Sequence, residues 1–204
     1  MSMAIPKLLK ARQFHSRIFA AFALILLLIS QPRPWNNEWL RTLMMMSGYA
    51  LVILGAFGRV YASAFIGGKK NDVVVRDGPF SVVRNPLYVF SFIALLGIGL
   101  ESQMFVATAL LAGAFMLYYP NVVAKEEAFL KHKFGEPYEL YLKEVPRWWP
   151  KFKLYSEPEQ FYCMPRFIRK TAMDAAIFFL PLPCFNIIFI LQSYGWLPVW
   201  LNLP

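Results

Sequence analysis

The sequence predicts an all-α fold, a polytopic membrane helix bundle of about five transmembrane helices. Hydrophobic residues make up 58% of the 204 residues and charged residues only 16%, whereas a soluble domain is roughly half apolar and a quarter charged. The apolar residues fall into runs that suit helices of about 20 residues, the length that crosses a bilayer core of roughly 30 Å. We therefore expect one membrane domain over residues 1–204.

Prolines, glycines and polar residues divide the apolar sequence into five expected spans. These cover residues 14–30, 43–65, 86–101, 105–123 and 175–200. Ser47, Gly48, Gly55 and Gly58 in the second span would let neighbouring helices approach closely. The third and fourth spans are expected to form a tight hairpin. Three prolines interrupt the C-terminal apolar segment, residues 174–200, which indicates a kinked or re-entrant span.

The placement of lysine and arginine predicts the orientation of these spans. Cytoplasmic loops carry an excess of both residues. If the N-terminus is cytoplasmic, eighteen of the 21 lysines and arginines lie on the cytoplasmic side, most of them in residues 124–173. We therefore expect an integral protein of the cell inner membrane, surrounded by membrane lipids, with its polar loops in the cytoplasm.

The first polar segment of interest precedes the third span. Gly78-Pro79 predicts a turn, and Pro86 suits the first turn of a helix. Arg84 and Asn85 then lie at the mouth of the third span. Taken alone, they are typical of an interfacial arginine and a helix N-cap.

The second segment follows the fourth span, where Glu126 lies at the point at which the helix leaves the membrane. A carboxylate at that depth is costly unless it is paired, so Glu126 is a candidate functional residue. Its neighbour Glu127 is expected to pair with Lys131 one helical turn later. Gly135 is expected to end the helix.

Together the two segments resemble the paired signature of the isoprenylcysteine carboxyl methyltransferase and phospholipid methyltransferase family. The match covers about residues 73–150, and Asn85 stands where the family commonly has histidine. Near Asn121 and Lys125, eukaryotic members carry an arginine. The two blocks read Gly78-Pro79-Phe80 with Arg84-Asn85-Pro86-Leu87-Tyr88, and Glu126-Glu127 with Phe134-Gly135, Tyr138, Tyr141 and Val145-Pro146-Arg147.

This resemblance implies methyl transfer from S-adenosylmethionine to a lipophilic acceptor, either an isoprenylcysteine-like carboxylate or a phospholipid amine. The cofactor would bind in a pocket that faces the cytoplasm, and the acceptor would enter from the bilayer. Catalytic roles would fall on Arg84, Glu126 and Arg147. The residues that would contact the cofactor are Pro79, Phe80, Arg84, Asn85, Tyr88, Glu126, Glu127, Tyr138 and Tyr141.

Two other functions stay open on the residues alone: a membrane reductase that uses NADPH, and a non-enzymatic membrane partner protein. Gly67-Gly68-Lys69-Lys70 is too short for a diphosphate-binding loop. The basic residues lie between apolar spans rather than on one soluble face, so no nucleic acid is expected. Neither cysteine has metal-ligand spacing, so no metal is expected either. The oligomeric state is unknown at this point.

Overall fold

The computed structural model describes residues 30–32, 37–69 and 72–203, and these form a helical protein with one pair of short parallel strands. The predicted span over residues 14–30 lies outside the described residues except for Ser30. The elements are β1 (Ser30–Pro32), α1 (Glu38–Ile66), α2 (Pro79–Val82), α3 (Pro86–Ser102), α4 (Phe105–Phe134), α5 (Glu136–Glu144), α6 (Pro165–Ala176), α7 (Pro181–Ser193) and β2 (Leu201–Leu203), with 3-10 turns at Phe152–Leu154 and Ile177–Phe179.

Among the described residues, two helical segments are long and apolar enough to cross a membrane. They are Glu38–Ile66 and Pro165–Ser193, each of 29 residues, which is about 43 Å of helix. Only 33% and 22% of their most apolar windows are buried inside the protein, so most of this apolar surface faces outward, as it does toward lipid. The chain is therefore a helical protein with two candidate membrane spans, which is consistent with the membrane protein that its composition predicted.

Glycines bring α1 and α3 into backbone contact. A Cβ atom added to Gly48 would lie 2.7 Å from the carbonyl oxygen of Gly97, and one added to Gly97 would lie 2.7 Å from that of Gly48. A Cβ atom added to Gly55 would lie 2.6 Å from the Cβ atom of Ala94. The prediction that the small residues of the second span allow close helix packing is confirmed.

The predicted hairpin between the third and fourth spans is also present. Helix α3 ends at Ser102 and α4 begins at Phe105. Between them Gln103 adopts a left-handed conformation with φ of 59°, and its N–H donates to the carbonyl of Leu100. This conformation reverses the chain within three residues.

Two boundaries differ in detail from the sequence prediction. Helix α4 continues without a break through the expected membrane exit and ends at Gly135, whose φ is 62°. The C-terminal helical segment begins at Pro165, ten residues before the expected start of its apolar span. Pro181 interrupts the helix only briefly because it occupies the first turn of α7, where its missing N–H is tolerated.

Candidate functional site

The first motif block is seated on the end of α1. Gly78 has φ of 57°, a conformation that glycine adopts readily, and Phe65 fills the space that a side chain at this position would need. Pro79 begins the short helix α2, and Phe80 packs in a buried cluster with Ala62 and Phe65. The turn predicted at Gly78-Pro79 therefore fixes this block against the scaffold.

Residues 145–156, which we name the strap, run alongside the first block and are hydrogen-bonded to it. The backbone N–H of Arg84 donates to the carbonyl of Pro146 at 2.9 Å, and that of Lys151 donates to Val82 at 3.0 Å. Gly78 donates to the carbonyl of Ser156 at 2.7 Å. Because the strap contains Val145-Pro146-Arg147, the two motif blocks of the sequence lie side by side.

One carboxylate joins both blocks. Glu127 Oε1 accepts hydrogen bonds from Arg84 Nη1 at 3.2 Å and from Arg147 Nε at 3.3 Å. Arg147 Nη2 pairs with Glu127 Oε2. The side chains are 7% exposed for Glu127, 14% for Arg84 and 41% for Arg147. We call these three residues the arginine–glutamate cluster.

The cluster combines a buried carboxylate with two guanidinium groups and carries a net charge of +1. Charge-assisted, forked hydrogen bonds of this kind offset the cost of removing the ions from water. Glu127 is therefore not the partner of Lys131 that helical spacing predicted. Lys131 Nζ pairs instead with Glu139 at 3.1 Å, on the exposed face.

Glu126 occupies a different environment, although it precedes Glu127 directly. The hydroxyl of Tyr88 donates to Glu126 Oε2 at 3.1 Å. The ring of Tyr88 lies 5.2 Å from that of Tyr119, which stacks on Phe115 at 4.0 Å. Successive residues on a helix point about 100° apart, so one acid faces the strap and the other faces this aromatic row.

Asn85 connects α3 to the strap rather than capping the helix. It is the residue before Pro86 at the start of α3, yet its side chain makes no capping hydrogen bond. Its Nδ2 donates to the carbonyl oxygen of Arg147 at 3.4 Å. Arg84 is a largely buried partner of Glu127. The N-cap interpretation of Asn85 was wrong because it does not include the strap.

Tyr138 and Tyr141 lie in a buried cluster beneath the site. Tyr141 donates its hydroxyl hydrogen to the carbonyl of Phe80 at 2.8 Å, which ties α5 to the first block. Burial, followed by the charge of Glu127, raises the pKa of Tyr138 to about 12. The pKa of Tyr141 is also raised, mainly by burial. Their predicted contact with a cofactor stays a prediction.

Arg76 is a supporting residue that the sequence reasoning missed. Its guanidinium lies over the ring of Tyr141, 5.7 Å from the centroid, and pairs with Glu144 at 3.6 Å. It also donates to the carbonyl of Pro137. The signal was an arginine two residues before Gly78, but nothing local indicates that its partners lie on α5.

One buried donor in the cluster is left without a partner. The Nε–H of Arg84 is buried and has no hydrogen-bond partner among the described residues, and such a group favours an anionic acceptor. A separate depression of about 620 Å³ is lined by residues 157–162 alone, so none of the predicted site residues borders it. Within the described ranges, no three His, Cys, Asp or Glu side chains are grouped to hold a metal ion.

Comparison with known proteins identifies the family of the segment that carries the first motif block and Glu127. Residues 39–137 match the family described as phospholipid methyltransferase. The predicted family resemblance is confirmed. The match to this methyltransferase family includes α1, α3, α4 and the first motif block, while the strap follows it.

Three relatives are similar to parts of this chain. The cobalt-zinc-cadmium resistance protein CzcN of Cupriavidus metallidurans is 37% identical over 139 residues, which are 68% of this chain and 63% of CzcN. The chain thus spans less than two thirds of that relative. The nickel-cobalt-cadmium resistance protein NccN of Alcaligenes xylosoxydans xylosoxydans is 27% identical over 188 residues, 92% of this chain and 87% of NccN.

The third relative is a methyltransferase by name. Protein-S-isoprenylcysteine O-methyltransferase of Schizosaccharomyces pombe is 38% identical over 77 residues, 38% of this chain and 33% of that enzyme. No solved structure matches the chain significantly. One methyltransferase and two metal-resistance proteins are therefore similar to parts of this chain.

Proposed function

We propose that this chain transfers a methyl group from S-adenosylmethionine to a lipophilic acceptor at the cytoplasmic face of the cell inner membrane. The observation that carries the proposal is the arginine–glutamate cluster. Through the buried Glu127 it joins Arg84, in the segment that matches a methyltransferase family, to Arg147 of the strap. Burying ionised groups such as Glu127 and Arg84 rarely adds stability over an apolar core. A cluster of this kind is therefore better explained by binding or catalysis than by folding.

The charges around the cluster fit S-adenosylmethionine, which has a carboxylate, an ammonium group and ribose hydroxyls. Arg84 would hold the carboxylate through its unsatisfied Nε–H. Glu126, next to the hydroxyl of Tyr88, would accept hydrogen bonds from the ammonium group or the ribose. Asn85 would add a polar contact from the start of α3. In this arrangement Glu127 orients Arg84 and Arg147 instead of contacting the cofactor directly.

The chemistry requires alignment more than acid–base catalysis. When bound, S-adenosylmethionine supplies a methyl group that its positive sulfur already activates. The residues of the chain then have to align the acceptor with that methyl group and exclude water. Arg147, the most exposed member of the cluster, would orient an anionic head group of the acceptor, either a prenylcysteine-like carboxylate or the phosphate of a phospholipid amine.

The membrane arrangement that supports this function has about five spans, with the N-terminus and both motif blocks in the cytoplasm. The lysine and arginine distribution favours it. It would let a polar cofactor arrive from water and an apolar acceptor arrive from lipid. Labelling of Lys151→Cys from outside intact cells, in a background without Cys163 and Cys184, would contradict this orientation, whereas labelling of Asn36→Cys is expected.

Calorimetry of the purified protein tests the cofactor. We expect binding of S-adenosylmethionine and of its demethylated product, and none of NADPH. Glu126→Gln should weaken S-adenosylmethionine binding by about 1–3 kcal/mol, because a charged hydrogen bond is lost. Glu139→Gln, on the exposed face of α5, is the control and should leave it unchanged. Binding of NADPH alone would favour a reductase, and binding of none would favour a non-enzymatic partner protein.

A contribution to metal resistance is a second candidate, favoured by the names of CzcN and NccN. The methylated lipophilic product would then act in cells exposed to cobalt, zinc or cadmium. Deleting the gene should lower growth in these metals, and the wild-type chain should restore it. Full restoration by Glu126→Gln would separate resistance from methyl transfer.

A further inference from the structure

Residues 149–155 of the strap carry an exposed surface that the proposed reaction does not use. Trp149 is 86% exposed and Phe152 is 78% exposed, and Leu154 and Tyr155 are also exposed. Lys151 and Lys153 alternate with these apolar residues, and both are exposed. Large aromatic side chains in water are unfavourable, so a surface of this composition indicates a partner.

The position of this surface identifies the partner as the bilayer. Tyr155 shares a hydrogen bond of 2.7 Å with Tyr61, which is on α1 five residues before its end. Tyr61 lies on the same exposed stripe of α1 as Leu54 and Phe57, at helical spacing of three to four residues. Because α1 is long and apolar enough to cross the membrane, this contact holds residues 149–155 beside its lipid-facing side, near the end of the span.

The positive charges of Lys151 and Lys153 indicate which kind of lipid this surface prefers. Within the described part of the chain, neither Lys151 nor Lys153 forms a salt bridge. The nearest acid in sequence, Glu157, accepts a hydrogen bond from Tyr155 at 2.8 Å. Aromatic residues prefer the interface between head groups and tails, and lysines near a membrane surface are attracted to anionic lipids.

We propose that residues 149–155 bind the anionic phospholipid head groups of the adjacent leaflet, with Trp149 and Phe152 inserted at the interface and Lys151 and Lys153 on the phosphates. The N–H of Lys151 donates to the carbonyl of Val82, two residues before Arg84, and Arg147 is two residues before Trp149. Lipid binding therefore holds the strap against the first motif block.

The lipid contact is tested in full-length protein placed in bilayers of phosphatidylcholine, with and without phosphatidylglycerol. Brominated phosphatidylglycerol should quench tryptophan fluorescence more than brominated phosphatidylcholine, and Trp149→Phe should remove this excess. Lys151→Gln and Lys153→Gln should each lower the preference for phosphatidylglycerol about fivefold. The control is Lys143→Gln, the same charge change on exposed α5, which should leave the preference intact.

Hydrogen exchange provides a second measurement that does not depend on methyltransferase activity. The amide of Lys151 should exchange more slowly when phosphatidylglycerol is present, and the Lys151→Gln, Lys153→Gln double variant should lose this protection. Equal quenching by both lipids, or an equal loss in the Lys143→Gln control, would overturn the proposal. Since neither measurement uses S-adenosylmethionine, either result leaves the proposed reaction to its own test.

Discussion

Helix α3 is held by two different kinds of contact, one along its face toward α1 and one at its N-terminal end. Toward α1, the contact is made by glycine and alanine, and the backbones touch at Gly48 and Gly97. At its mouth, the polypeptide around Arg84 is held by a buried cluster of charges and by the strap. In lipid, where apolar burial drives little association, close backbone packing is an efficient way to hold helices together. The charged contact costs desolvation, so it is the side where function is expected.

The largest expected effect comes from breaking the charged side. Glu127→Gln leaves the partly buried guanidinium groups of Arg84 and Arg147 without their carboxylate, and should lower the free energy of unfolding by about 3 kcal/mol. Denaturation of the purified protein in mixed micelles measures this change. The matched control is Glu139→Gln, which removes an exposed pair with Lys131 and should cost less than about 1 kcal/mol. Equal losses in both variants would show that the cluster contributes no more to stability than an exposed ion pair.

The next effect tests the packed side. Gly55→Ala places a methyl group 2.6 Å from the carbonyl oxygen of Phe90, so the helices must separate, at a cost of about 1–3 kcal/mol. Gly113→Ala on α4 is the control, because nothing lies within 4 Å of the added atom. That change should stabilise the helix by up to about 1 kcal/mol. If Gly55→Ala behaved like Gly113→Ala, backbone contact would not hold α1 to α3.

The smallest effect concerns the pH dependence of the cluster beneath the site. Burial raises the pKa of Tyr138 from 10.0 to about 12, so the folded state favours the neutral phenol. This contribution is complete below pH 10 and is lost as the pH rises through about 12. The free energy of unfolding should fall by roughly 1–2 kcal/mol over this window. The free energy of unfolding of Tyr138→Phe should fall less over the same window. Parallel curves of this free energy against pH for the two proteins would contradict the role of Tyr138.

The ends of several helices could be predicted because local chemistry determines them. Proline at position 86 begins α3 because the first turn of a helix does not need its missing N–H. Gly135 ends α4 because it adopts a positive φ that a continuing helix does not allow. The hairpin around Gln103 followed from polar residues between two apolar runs. The helical start at Pro165 could not be predicted, because Arg166, Arg169 and Lys170 made helical residues resemble a loop.

The residues of the candidate site could be predicted from the sequence, but not which of them pair with one another. Arg84, Glu126, Glu127 and Arg147 were all identified from the sequence, together with their two motif blocks. Their roles relative to one another were not, because Glu127 was expected to pair with Lys131 and Asn85 to cap α3. Helical spacing reports only neighbours on the same helix, and the partners of these residues lie on other segments.

By itself the sequence determined that this is a helical protein with apolar runs long enough to cross a membrane, where its hairpin turns and which family it resembles. Apolar run length, proline, glycine and short motifs all act locally. Tertiary structure alone decided that Glu127 joins Arg84 to Arg147 while Glu126 joins Tyr88. The physical reason is that a buried charge takes the nearest opposite charge in space. That neighbour is brought by the strap, which returns to the first motif block from more than sixty residues further along the chain.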